Sequence, residues 1–211
     1  MEDIVKNKNI HYLYHFTKLD NIPSILEKGL LTNEYMKLHN IFFSSNDPLR
    51  LDKRLNTISC SIMWPNYRMF FSLRQSNLHQ QYVLIRLKAS ILYELPCLFF
   101  TTNAANSVFA DVPDESLSGA EAFLKLFDNK INNYVRISKT HDFWPTDPQA
   151  EILVRANIPA NYIADILCEK DEDLQACSGM CANSHVQCYV NEFYFKYRAD
   201  HRENNIQKNE Q

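Results

Sequence analysis

His15 and Thr17 stand two residues apart in Tyr12–Thr17, an aromatic, β-prone run that reads as a strand. Alternate residues of a strand point to one side, so an imidazole and a hydroxyl project together from one face. Far along the chain, Gln149 and Glu151 repeat that spacing just before Ile152-Leu153-Val154. A carboxylate at the mouth of a strand can hold a ribose hydroxyl or take a proton. Arg54 adds a rigid guanidinium fork suited to a phosphate or a carboxylate. Each also has a plainer reading: a core histidine bonded to backbone, a glutamate at a strand edge, a solvated arginine.

A second group is local. Cys177, Cys181, His185 and Cys188 form C-x3-C-x3-H-x2-C. On one continuous helix they would share a face, and three sulfurs with an imidazole are a zinc-competent set. The spacing is not that of a common zinc finger or ribbon, Gly179 weakens the helix, and cysteine is a frequent small core residue. The reading preferred on sequence is therefore buried thiols without a metal. With no apolar signal core in MEDIVKNKNI, the six cysteines read as reduced, and the protein as soluble and unexported.

The elements that would position these residues follow from periodicity. After the first strand, Asp20-Asn21 caps a helix with Pro23 in its first turn, stopped by Gly29. Further strands are expected at Ile58–Met63, Tyr67–Leu73, Gln81–Lys88, Cys97–Thr101, Glu151–Val154, Asp165–Glu169 and Val186–Tyr189, with Asn40–Ser45 extended. Helices are expected at Ser90–Leu95, Ala120–Phe127 and Asp171–Ser184. Asn103–Gly119 and Tyr134–Gln149 read as loops, the second long enough to be functional. The expectation is an α+β chain, one domain over 10–198, with a polar tail at 199–211.

Composition narrows the function. The 211 residues include only three glycines, Gly29, Gly119 and Gly179, too far apart for a Walker loop or a dinucleotide fingerprint. A bound nucleotide must be held another way. The net charge of −3 argues against binding nucleic acid by bulk charge. Within Leu49–Ala89, however, Arg50, Lys53, Arg54, Arg68, Arg74, Arg86 and Lys88 face one acid, Asp52. That stretch reads either as ordinary solvated surface or as one positive face. No window is long and apolar enough to span a membrane.

A strand with His15, then Arg54, then Gln149-x-Glu151 entering a late strand is the layout of an ADP-ribosyltransferase. Within that class the sequence resembles the DarT family of DNA ADP-ribosyltransferase toxins. The resemblance rests on YHFTKLDNIPSILEKGLL at 14–31, LDKRLNTIS at 51–59, SIMWPNYRMFFS at 61–72, FFTTNAA at 99–105 and QAEILV at 149–154. It implies a split β-sandwich with flanking helices that binds NAD in a cleft. It implies Glu151 as the catalytic glutamate and Arg54 as the arginine working with it. His15, Phe16 and Thr17 would be the first NAD-contacting element, and Ser24 and Leu31 would line the same cleft. The segment from Leu31 to Arg54 would cover the cofactor, and that from Asn103 to Glu151 would meet the DNA base.

The acceptor implied is a base in single-stranded DNA, with Tyr67, Phe143 and Trp144 as candidate stacking platforms against a plainer reading as core. The family also implies a partner antitoxin bearing a macrodomain. Two alternatives stay open. One is an ADP-ribosyltransferase acting on RNA or protein. The other is a non-catalytic nucleic-acid or metal-binding module built on the 177–188 cluster.

Overall fold

The structure, a computed structural model, describes residues 1–41 and 54–200. In chain order its elements are α1 (Glu2–Asn7), β1 (Tyr12–Lys18), α2 (Ile22–Lys28), α3 (Asn33–Leu38), β2 (Ile58–Ile62), α4 (Tyr67–Ser76), β3 (Tyr82–Lys88), α5 (Ile91–Glu94), β4 (Cys97–Phe100), α6 (Gly119–Lys125), β5 (Lys130–Ile131), β6 (Tyr134–Val135), β7 (Glu151–Val154), β8 (Ile163–Cys168), α7 (Asp171–Cys181) and β9 (Gln187–Val190). Seven strands form one sheet in the order β4-β7-β2-β1-β3-β8-β9; β5 and β6 make a separate hairpin. All sheet pairings are antiparallel except β8–β9. The expected α+β class is what the chain adopts.

The split lies between β1 and β2. These strands pair only at Leu13↔Ile62 and Tyr14↔Ser61. Beyond that point β1 continues its ladder with β3 as far as Lys18, while β2 turns to β7 from Cys60 back to Ile58. The sheet is thus two half-sheets hinged at a two-residue seam.

Pleating sorts the side chains. One face carries Leu13, Ile85, Ile166, Cys60, Ile152 and Phe99, covered by Ile22 and Ile25 of α2, Ile91 of α5, Phe123 of α6 and Cys177 of α7. Each fully buried Leu or Ile here contributes about 1.5–3 kcal/mol. Val5 of α1 belongs to the same cluster, ahead of the expected domain start at residue 10. The opposite face has two separate covers. Phe70 of α4 and Phe195 lie over Tyr14, Leu84 and Leu167, and Phe109 and Leu117 of the 103–117 loop lie over Leu98, Phe100 and Leu153.

Gly29 ends α2 at φ +79°, where a Cβ would stand 2.2 Å from the Ile158 carbonyl oxygen. That close approach lets Leu30 and Ile158 exchange backbone hydrogen bonds of 2.9 and 2.8 Å, docking the end of α2 beside β7.

The strand expected at Tyr67–Leu73 is instead helix α4. Asn66 Oδ1 accepts from the Met69 N–H at 3.3 Å and caps its N-terminus. The buried Tyr67 and Phe70 are three residues apart, so the aromatic run satisfies a helical face rather than strand alternation. The Asp171–Ser184 helix ends at Cys181, three residues early. Much of the Asn40–Ser45 segment falls outside the described residues. Asp200, placed by sequence in the tail, is buried and pairs with buried Arg198 (Nε–Oδ1 2.8 Å). No helix among the described residues is long and apolar enough to cross a membrane.

Candidate active site

Glu151 opens β7 and is 7% exposed. A buried carboxylate must find donors, and both oxygens of Glu151 do. Oε1 accepts from the Ser59 hydroxyl on β2, and Oε2 accepts from the Ala104 N–H at 2.8 Å, in the turn after β4. The register places Glu151 opposite Phe100. Its charge is felt across the strand: burial, then the Cys97 thiol and the Glu151 carboxylate, push the Cys60 thiol well above its usual range.

Ser59 joins two of the predicted residues. Its hydroxyl donates to Glu151, and its carbonyl oxygen lies 2.8 Å from His15 Nδ1. A carbonyl can only accept, so Nδ1 carries the proton in this bond. It lies just past the seam where the β1–β2 ladder stops, and an imidazole there bridges the opening. Sequence pattern alone did not single out Ser59. The available signal was Ser59 and Ser61 as polar residues alternating with Ile58, Cys60 and Ile62.

Arg54 lies over the ring of Phe100, the cross-strand neighbour of Glu151. Its guanidinium carbon stands 5.2 Å from the Phe100 ring centroid, and Nη2 donates to Asp114 Oδ1 at 3.2 Å. Asp114 also pairs with Arg155 through Oδ2 at 3.3 Å. Thr57 Oγ1 donates to the Arg54 carbonyl at 2.7 Å, closing the turn into β2. Glu151 and Arg54 therefore both neighbour Phe100, one by strand register and one by its guanidinium, on the face covered by the 103–117 loop.

The His15-Phe16-Thr17 element divides between faces. Tyr14 pairs with Ser61, so Phe16 shares the Glu151 face, where it stacks on Phe70 at 4.9 Å. Thr17 points to the α2 side and its Oγ1 accepts from Asn21 Nδ2 at 3.1 Å. Ser24 lies exposed on α2, and half-buried Leu31 follows the Gly29 turn. Glu34 of α3 donates its N–H to the Leu55 carbonyl at 2.9 Å, bringing this segment beside Arg54.

The entry to β7 is fixed by buried Asp147. Its Oδ1 accepts from the Gln149 N–H at 2.8 Å. Burial pushes the Asp147 carboxyl above its usual range, against opposing hydrogen bonds from the Gln149 backbone, Thr102 and Asn132. One carboxylate thus ties three loops at the start of the strand that carries Glu151.

Several charges of the basic stretch are paired within the fold. Arg74 pairs with Glu169, Arg86 with Asp165, and Lys88 donates to the Asn161 carbonyl. Arg50 and Lys53 lie outside the described residues. Of the stacking candidates, Tyr67 and Trp144 are core, packed with Trp64, and Phe143 stacks on His141 at 4.8 Å. A cavity of about 1160 Å³ between α4, the start of β3 and the 193–199 segment has Tyr67 on its wall, but none of Glu151, Arg54 or His15.

The second sequence cluster is rearranged. Cys177, Cys181 and Cys188 bring their sulfurs within 4.8 Å of one another. His185 is exposed in the turn after α7 and is not among them. The helix stops before reaching it, so the one-face expectation fails at that residue.

The family model described as "DarT: ssDNA thymidine ADP-ribosyltransferase, DarT" matches residues 14–200. No curated protein matches the chain. Among solved structures, Thermosipho africanus DarTG in complex with ADP-ribose superposes with a TM-score of 0.65 at 19% identity, covering 88% of this chain. The chain spans 51% of that protein's length. Thermus sp. 2.9 DarT in complex with NAD+ gives a TM-score of 0.53 at 13% identity, covering 88% of this chain and 98% of that one. The same Thermus protein in complex with ADP-ribosylated ssDNA gives 0.53 at 14%, covering 89% and 97%.

Proposed function

The chain belongs to the DarT family of single-stranded-DNA thymidine ADP-ribosyltransferases, and from that premise we propose that it transfers ADP-ribose from NAD to thymidine, with Glu151 as the catalytic carboxylate. The observation that carries this reading is the placement of Glu151. It is a buried carboxylate, oriented by Ser59 and Ala104, at the mouth of a split sheet and opposite Phe100, over whose ring Arg54 lies.

The chemistry follows from that placement. The bond between the ribose C1′ and the nicotinamide nitrogen breaks, and the electron pair leaves with neutral nicotinamide. Positive charge develops on the ribose, where a fixed carboxylate stabilises the transition state more than the ground state. The thymine ring nitrogen then forms the new bond to C1′, and its proton passes to Glu151. Two fixed donors already hold the carboxylate, so little reorganisation is needed as charge develops. Arg54 supplies a fork for the cofactor's phosphates, steadied by Asp114 and Phe100. The cofactor-binding residues of this reading are His15 and Thr17 on one side of β1, Phe16 on the other, Ser24 on α2 and Leu31 after the Gly29 turn.

A single-stranded acceptor presents its base without the cost of unpairing. The Thermus complexes with NAD+ and with ADP-ribosylated ssDNA, which share this fold, support the donor and the acceptor. The same reading makes the protein the toxin of a pair, restrained by a macrodomain antitoxin that removes the modification; the similarity to DarTG supports it.

The test is incubation with NAD and single-stranded oligonucleotides differing in one base, read by mass spectrometry. A gain of one ADP-ribose on thymidine-containing strands, abolished in Glu151→Ala, is expected. Labelling of RNA or protein in place of DNA, or undiminished labelling by Glu151→Ala, would overturn the assignment.

A further inference from the structure

Four of the six cysteines converge at the sheet edge farthest from β4. Cys168 ends β8, Cys177 and Cys181 lie on α7, and Cys188 lies on β9. Cys177 Sγ is 2.9 Å from Cys188 Sγ, and Cys188 Sγ is 3.3 Å from Cys181 Sγ. Cys168 lies in the same buried cluster as Cys177 and Cys181. Cys168, Cys177 and Cys181 are buried, and Cys188 is half-buried.

We propose that Cys168, Cys177, Cys181 and Cys188 form a structural zinc site that fastens α7 and the edge strand β9 to β8. Four thiolates around zinc at about 2.3 Å stand roughly 3.8 Å apart. The three sulfurs closest together already fall within 4.8 Å. Their backbones come from three separately anchored elements, and Cys168, the thiol outside the close trio, must swing toward the other three to complete a tetrahedron. Thiolate sulfur selects soft, thiophilic metals, and zinc imposes no geometry that this set would resist. Binding expels the thiol protons to solvent.

Packing supplies the reason for such a clamp. The buried residues of α7 are Asp173, Cys177 and Cys181, so the helix buries no large apolar side chain completely. Strand β9 is an edge strand with one neighbour, and Gln187, Tyr189 and Val190 are exposed. The apolar side chains holding these two elements are small or only partly buried, and a metal site would add to what they supply. A disulfide between Cys177 and Cys188 would use only two of the four sulfurs. The site is structural, because β2, β1, β3 and β8 lie between β9 and the strand carrying Glu151.

The test uses full-length protein purified under reducing conditions without chelator. Elemental analysis should find zinc at one equivalent per chain. Replacement with Co2+ should give a thiolate-to-cobalt charge-transfer band and d–d bands of tetrahedral intensity. The double variant Cys181→Ser/Cys188→Ser should lose the metal, and stripping the wild type should lower its unfolding temperature by several degrees. The cobalt spectrum is read on wild-type protein, so a misfolded variant does not remove the test. Absence of stoichiometric metal with no cobalt–thiolate band, iron in place of zinc, or a Cys177–Cys188 disulfide in freshly isolated protein would each overturn the proposal. None of these readouts uses NAD or DNA, so their failure is separate from failure of the transferase reading.

Discussion

The two ends of the sheet hold two kinds of chemical cluster. At the β7 end, Glu151, Ser59, Ala104, Arg54 and Asp114 meet across separations of up to 97 positions, as between Arg54 and Glu151. At the β9 end, four cysteines within positions 168–188 meet through one helix, one turn and a parallel strand pair. The first cluster is oxygen-rich, buried and linked by charge-assisted hydrogen bonds suited to a developing cation. The second is sulfur-rich and lies where the packed apolar side chains are small or only partly buried. Long-range assembly gives a carboxylate whose direction depends on several loops. Local assembly gives a clamp that depends on its own segment.

The sharpest way to break the comparison is to remove the chemistry at one end and read both. Glu151→Gln is expected to lower the transfer rate by about 10²–10³-fold or more while NAD still binds, measured by single-turnover labelling beside a binding titration. Metal content at the other end should be unchanged, and a parallel loss would mean that the two ends are one folding unit. Ser59→Ala removes one donor from Glu151 while keeping the carbonyl that holds His15. The expected loss is roughly tenfold in kcat, near the 1.4 kcal/mol of a charge-assisted bond, with KM little changed. A rise in KM alone would move Ser59 from orienting the carboxylate to binding the cofactor.

Asp114→Ala removes the acceptor shared by Arg54 and Arg155. Both pairs are partly solvent-exposed, so the stability cost should stay at or below about 1 kcal/mol in urea titration. Any larger effect should appear in NAD affinity through a less fixed Arg54.

The smallest expected effect is a pH dependence at Asp147. Its folded-state pKa is raised above the ordinary carboxyl value by burial, so the folded state takes up a proton first as pH falls. That contribution favours folding below the unfolded pKa and is lost as pH rises through the raised folded value. Compared with Asp147→Asn, the wild type should therefore gain relative stability as pH falls toward the ordinary carboxyl range, checked by paired denaturation curves. A flat difference would show that the carboxylate is better solvated than its burial implies.

Much of the local architecture was legible. The alternation of Val83, Ile85 and Leu87 gave β3, Gly29 marked the end of α2, and Glu151–Val154 matched β7 at both ends. The α4 helix was not legible, because Tyr67–Leu73 carries strong strand formers and only the Asn66 cap and a covering position over β1 and β3 favour the helix. His185 fell away from the cysteines because its helix ended four residues before it, a boundary that the sequence marks weakly.

The sequence by itself determined most strands of the large sheet, that no glycine-rich loop holds a nucleotide, and that cysteines gather within positions 177–188. These are properties of short windows, where propensity and periodicity act directly. Only the tertiary structure decided that β1 and β2 part after two residue pairs, that Ser59 lies between His15 and Glu151, and that Phe16 and His15 face opposite ways at the opening. The physical reason is register. A period of two says that alternate residues share a face, but which face and which neighbour depend on how distant strands align. A shift of one residue would turn Glu151 from the loop-covered face into the apolar core.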